Sequence, residues 1–94
     1  MIYLVTCRQC QAQYVGSTTE AMHRRHGGHR TEIREESTPL GRHFSRCGVE
    51  NFVLQIIDCV KEGEREALLI IEGKWQHKLA TFQTHGNINS RDEM

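Results

Sequence analysis

Net charge is what this chain lacks most plainly: its 12 Lys and Arg balance its 12 Asp and Glu. A neutral chain carries no global signature of polyanion binding. No apolar run approaches the ~18 residues that a membrane-crossing helix needs, so no membrane partner is expected. Internal repeats and low-complexity tracts are absent too. Met1-Ile2-Tyr3-Leu4-Val5 is too short for a secretory leader and has no basic residue, which reads as a protein that is not exported. The expected compartment is intracellular, with the cysteines held as thiols. At 94 residues the chain is expected to form one domain, residues 1–94. A core of that size is marginal, and such domains often recruit a metal or another staple.

The neutrality hides an asymmetry. Residues 1–48 hold seven Arg and four Glu, a balance of +3, and residues 49–94 hold five basic and eight acidic residues, a balance of −3. The basic half permits local phosphate binding. Ile2 to Val5 and Ala12 to Val15 read as strands of a hairpin with Tyr3 roughly opposite Tyr14. Thr18 or Thr19 offers an N-cap to a helix from about Glu20 to Arg34, which places Met22, Arg25, His29 and Ile33 on one face. Gly27-Gly28 interrupts it at roughly 1 kcal/mol each. Pro39 suits the first turn of a short helix from about Leu40 to Cys47, and Gly48 its stop. Phe52 to Val60 reads as a strand buried on both faces, Glu64 to Leu79 as a third helix, and Thr81 to Met94 as irregular, with a turn at Gly86. The expected class is α+β: a three-stranded antiparallel sheet flanked by helices.

Glu72 stands out within Ala67-Leu-Leu-Ile-Ile-Glu72-Gly-Lys-Trp75. Leu68, Glu72, Trp75 and Leu79 share a helical face, so a carboxylate falls in the core-facing stripe. Buried there it needs a metal, an arginine or a hydrogen-bond network; a rotated stripe would instead leave it at a solvated edge. Arg25 and His29 lie one turn apart and project together, and a guanidinium fork suits a phosphate. Arg24 and Arg30 read as solvated. Cys7-Arg-Gln-Cys10 forms a knuckle at the hairpin turn, and His43 and Cys47 share one helical face, a two-plus-two ligand set of zinc type. A redox role for the Cys-x-x-Cys is the rival reading, but it lacks the usual βαβ setting. Cys59 is expected in the core. His23, His26, His77 and His85 are expected at the surface.

Ile2-Tyr3-Leu4 and Tyr14-Val15-Gly16, followed by Arg25, His29 and Glu72, resemble the GIY-YIG nuclease family from Ile2 to about Asn89. The Cys-x-x-Cys between the tyrosine motifs narrows the resemblance to the zinc-containing endonuclease domain of Penelope-like retroelements, with Cys47 where a histidine is usual. The resemblance implies a DNA endonuclease working in the nucleus, with Mg²⁺ or Mn²⁺ on Glu72, Arg25 on the phosphate, and Tyr3, Tyr14 and His29 around the attacking water. It implies structural Zn²⁺ on Cys7, Cys10, His43 and Cys47, and Asn89 closing the site. It also allows a longer parent protein with appended domains or a reverse transcriptase. Two departures stand: Met1 replaces the glycine before Ile2-Tyr3, and Gly27-Gly28 sits in the arginine's helix. The form with two threonines after Gly16 selects Arg25 over Arg24. Two alternatives remain open: a zinc-stapled nucleic-acid-binding module without cleavage, and a zinc-ordered interaction domain.

Overall fold

The computed structural model describes residues 1–19, 22–59, 65–83 and 86–89, with only the backbone of Met22, His23 and Arg65. In chain order the elements are β1 (Ile2–Cys7), β2 (Gln13–Ser17), α1 (Met22–Glu35), α2 (Pro39–Cys47), a short 3₁₀ turn (Val49–Asn51), β3 (Phe52–Asp58) and α3 (Arg65–Leu79). The three strands form one antiparallel sheet in the order β2-β1-β3. The expected α+β class and its elements are therefore present. The proposed caps of α1 at Thr18 or Thr19 depend on residues 20 and 21, outside the described residues, as does the Val60 end of β3.

Strand alternation divides the core in two, because successive side chains of β1 point to opposite faces. Tyr3, Val5 and Cys7 pack with Leu40 and Phe44 of α2 and Ile33 of α1. Ile2 and Val15 pack on the other face with Leu68, Ile71, Trp75 and Leu79 of α3. The helices thus cover both sheet faces. Among the described residues no helix is long and apolar enough to cross a membrane.

β3 departs from expectation. Its apolar run suggested burial on both faces, but the strand is half-buried, with Gln55 and Ile56 exposed. It is an outer strand of a three-stranded sheet, and α3 packs chiefly on β2 and β1. Cys59 is exposed for the same reason, just past the end of β3, and is not a core residue.

The hairpin register also differs. Tyr3 faces Gly16, and Tyr14 faces Val5. The two tyrosines are diagonal neighbours on one face, with ring centroids 6.4 Å apart. The shift has a steric cause. A Cβ at Gly16 would collide with the ring and hydroxyl of Tyr3, so the residue across from Tyr3 must be glycine for the phenol to lie flat along the sheet. The glycine of Tyr14-Val15-Gly16 is thereby explained by the tyrosine of Ile2-Tyr3-Leu4.

Gly41 serves a second close approach. A Cβ there would strike the Glu32 carbonyl, so α2 packs backbone to backbone on the last turns of α1. α2 itself starts as expected: Thr38 caps it, accepting from the Gly41 N–H at 3.0 Å, with Pro39 next. Gly48 ends it at a φ of 98°.

Gly16→Ala is expected to destabilise the domain by about 1–3 kcal/mol, the usual cost of overpacking. That corresponds to a drop of ~4–8 °C in melting temperature per kcal/mol. Thermal unfolding followed by circular dichroism checks it. An unchanged melting temperature would show that Tyr3 does not lie against residue 16.

Candidate active site

Tyr3 is the centre of the first site. Its side chain is 1% exposed, and its hydroxyl is pushed up to about 12 by burial, against the hydrogen bond and charge of Arg25, with the Glu72 and Glu32 carboxylates adding to the rise. At neutral pH it is therefore a neutral phenol. Two side chains of α1 meet it, and a third backs them. Arg25 Nε donates to Tyr3 Oη at 3.0 Å. His29 Nε2 lies 2.8 Å from the same oxygen. Glu32 stands behind both, with Oε1 accepting from Arg25 Nη2 at 3.3 Å and Oε2 3.1 Å from His29 Nδ1. Residues 25, 29 and 32 recur at helical spacing, so one face of α1 delivers all three.

The rings pack as closely as the polar atoms. His29, fully buried, stands edge-on to Tyr3 at 5.4 Å and to Tyr14 at 6.1 Å. Phe52 leans on it from β3 at 5.8 Å. His26, expected free at the surface, is half-buried with its ring 5.3 Å from Phe52, and His77 is exposed with its ring 5.1 Å from Phe82. His23 and His85 fall outside the described side chains.

Arg25 therefore holds the position expected of it, and Arg24 is exposed. Gly27-Gly28 does not break α1, which runs unbroken through both. Gly28 has a use: a Cβ there would sit 3.3 Å from Arg25 Nη1, so its absence leaves room for the guanidinium. Glu72 is half-buried at the flank of the α3 stripe rather than within it. The residues packed on the sheet are Leu68, Ile71, Trp75 and Leu79, a stripe turned slightly from the one expected. That rotation leaves the Glu72 charge bearing on Tyr3 instead of burying it.

Asn89 is buried but does not face the tyrosine hydroxyls. Its Oδ1 accepts from Val15 N at 2.8 Å and its Nδ2 donates to Val15 O at 3.1 Å, so the side-chain amide pairs with β2 like a strand residue. Asn87 Oδ1 likewise accepts from Gln13 N at 2.9 Å, while its Nδ2 donates to Ala80 O at 2.8 Å. Two asparagines at i and i+2 thus latch the C-terminal segment onto the free edge of β2. The sequence reading missed Asn87, and it missed Glu32. The signal for Glu32 was its helical phase with Arg25 and His29.

The second site lies at the hairpin turn. The ligand atoms of Cys7, Cys10, His43 and Cys47 all fall within 4.8 Å of one another, and Cys10 Sγ is 3.4 Å from His43 Nε2. Tetrahedral zinc with bonds of ~2.1–2.3 Å needs ligands that close. Burial disfavours the Cys7 thiolate, but the Cys10 and Gln9 backbone N–H groups and the neighbouring thiols hold it below the usual thiol range. Burial and the Cys7 and Cys10 sulfurs push Cys47 up. One thiol charges readily and then opposes its neighbour, a repulsion that a divalent cation between them removes. Burial and the Arg46 charge keep His43 neutral, as a ligand must be. The donor set fits zinc.

No protein-family model matches this chain, and no curated protein is similar to it. Among solved structures, the catalytic domain of homing endonuclease I-TevI matches with a TM-score of 0.72, covering 84% of this chain and 86% of that one at 22% identity. The chain has the GIY-YIG fold. Within the GIY-YIG fold, the tyrosine of the first strand and the tyrosine and glycine of the second come together here at one point, under α1.

Two expectations follow from these geometries. Tyr3 keeps its proton to about pH 12 when folded, against 10.0 for an ordinary tyrosine. Between those values the unfolded chain releases a proton that the folded chain holds. The contribution is whole below pH ~10, declines as pH rises, and is lost above ~12, on the order of 2–3 kcal/mol in all. Tyr3→Phe is expected to flatten this alkaline limb of the urea midpoint; parallel curves would exclude Tyr3 as its cause. The thiol set is expected to carry one zinc per chain, whose apparent binding energy in small domains is about 10 kcal/mol or more. A strong chelator and Cys47→Ser should each lower the melting temperature sharply, while Cys59→Ser leaves it unchanged. A protein purified without chelator that contains no zinc and melts unchanged in excess chelator would overturn the assignment.

Proposed function

We propose that this chain is a metal-dependent endonuclease that hydrolyses a phosphodiester in one strand of DNA, inside the cell and in the service of a retroelement. The observation that carries the catalytic part is the convergence of Arg25 and His29 on the Tyr3 hydroxyl, with the Glu72 charge bearing on the same group. The likeness to the I-TevI catalytic domain supports it as a shared fold.

Glu72, whose charge bears on Tyr3, is the carboxylate we assign to a divalent cation. A single carboxylate fits Mg²⁺ or Mn²⁺, which keep several waters and complete their shell with substrate phosphate oxygens. Such an ion supplies charge neutralisation at the phosphate and the leaving oxygen. Arg25, held by Tyr3 and Glu32, turns a fixed fork of donors toward the phosphate and stabilises charge as it builds in the transition state.

Proton movement follows from the hydrogen bonds. Glu32 is an acceptor only, so His29 Nδ1 carries the proton between them. The neutral imidazole then accepts at Nε2, and the Tyr3 O–H donates to it. With a hydroxyl that ionises only near 12, Tyr3 is a poor base alone. As part of the chain it need not ionise: the attacking water passes a proton to the Tyr3 oxygen while Tyr3 passes its own to His29 Nε2. The water oxygen bonds to phosphorus, the ester bond opposite it breaks, and the leaving oxygen takes a proton from solvent. Tyr14, edge-on to His29, walls the relay against bulk water.

Nicking of supercoiled DNA in Mg²⁺ tests this reading. Glu72→Gln is nearly isosteric and is expected to abolish nicking with an unchanged melting temperature. Arg25→Ala is expected to slow nicking by ~10²–10³-fold, the scale for losing one transition-state donor, with DNA affinity changed far less. Arg24→Ala is expected to be mild. Wild-type-like nicking by Glu72→Gln would remove Glu72 as the metal ligand, and a wild-type chain that binds DNA without nicking it would leave a binding module.

A further inference from the structure

We propose that Glu32 is the positioning residue of this site: it fixes the His29 tautomer that accepts the Tyr3 proton and at the same time clamps Arg25 against Tyr3. The inference rests on the endonuclease reading for its rate effects but not for its structural ones.

The carboxylate is placed from two directions. Its own helix sets it one turn beyond His29. α2 pins it from the other side, where Thr38 Oγ1 donates to Glu32 Oε2 at 3.2 Å while capping α2. Gly41 allows α2 to come that close. Oε2 therefore takes Thr38 and His29, and Oε1 takes Arg25. Burial alone would raise the carboxyl, but the hydrogen bond from His29 and the charge of Arg25 hold it below the usual carboxylate range. It is thus an anion throughout the neutral range.

An anion at this point does two things for the relay. It forces the neutral imidazole to keep its proton on Nδ1, which exposes Nε2 as the acceptor that Tyr3 needs. It also offsets the positive charge that His29 gains when the Tyr3 proton arrives. His29 is faced by Tyr3 from β1, Tyr14 from β2, Phe52 from β3 and Glu32 from α1. Among the groups named, Glu32 is the one that can perform either task.

Glu32→Gln makes a sharp test because the amide must choose. Arg25 is always a donor, so the amide oxygen turns to Arg25 and the NH₂ turns to His29 and Thr38. Thr38 can adapt by rotating its hydroxyl. His29 can adapt only by moving its proton to Nε2, where it then donates to Tyr3 and closes the relay. In acyl-transfer triads the same carboxylate-to-amide change costs ~10⁴ in turnover through the wrong tautomer.

Long-range ¹H–¹⁵N correlation spectra of the full chain at neutral to mildly alkaline pH report which ring nitrogen of His29 holds the proton. The expected result is Nδ1 in the wild type and Nε2 in Glu32→Gln, with nicking slowed by ~10²–10⁴-fold and DNA affinity unchanged. Glu32→Asp keeps the charge and is expected to restore the wild-type tautomer and part of the rate. A wild-type proton on Nε2 overturns the inference without any variant, as does a Glu32→Gln protein whose proton stays on Nδ1. Wild-type-like nicking by Glu32→Gln beside an inactive Glu72→Gln overturns it while leaving the endonuclease reading intact. A wild type that never nicks but shows the tautomer switch removes the endonuclease reading and leaves the positioning role of Glu32.

Discussion

A phenol buried against a sheet needs both room for its ring and partners for its hydroxyl, and much of this structure answers those two needs at Tyr3. Room comes from Gly16 across the hairpin. Partners come from Arg25 and His29 on α1. Those partners in turn require a counter-charge, which Glu32 provides, and Glu32 is held by the capping residue of α2. Each step is a polar group whose burial would be costly without the next. Local contacts on β1 are in this way tied to the angle between α1 and α2.

The sequence disclosed this chain unevenly, and the reasons are physical. Tyr3 and Tyr14 were singled out by the family resemblance; that Arg25 and His29 project together was legible because residues a turn apart in a helix share a face. Glu32 obeyed the same rule but went unread, since a glutamate among arginines on a mixed helix looks like solvated charge. What spacing cannot report is the far side of a pairing. The register that sets Tyr3 against Gly16 depends on the ring meeting the opposite backbone. The exposure of β3 and Cys59 depends on there being no fourth strand in the sheet among the described residues, a fact about topology that an apolar run does not carry. Asn87 lay in a segment that looked like irregular tail, and Asn89 was read as closing the site, yet both pair with the edge of β2, because an unpaired row of strand N–H and C=O groups invites any available amide.

The two sites share β1 and divide its labour. Tyr3 lies toward its start and Cys7 at its end, both on the face under α1 and α2. A metal on Cys7, Cys10, His43 and Cys47 would tie the hairpin turn to α2, and α2 begins with the Thr38 that holds Glu32. The thiol site and the tyrosine site are therefore connected through one nine-residue helix. Loosening either end of α2 acts on the same Gly41 contact with α1.

That connection bears on why a domain this small would keep four ligands at its hairpin turn. A carboxylate–imidazole–phenol chain tolerates little displacement, since hydrogen bonds of 2.8–3.1 Å weaken steeply when their donors tilt. The sheet has three strands, and the α1–α2 pair meets it through few large side chains, chiefly Leu40, Phe44 and Ile33. A metal cross-link from β1 to α2 would restrain any motion of Glu32 relative to Tyr3. With a metal bound, the thiol cluster would hold the tyrosine site in register as well as stabilise the hairpin turn.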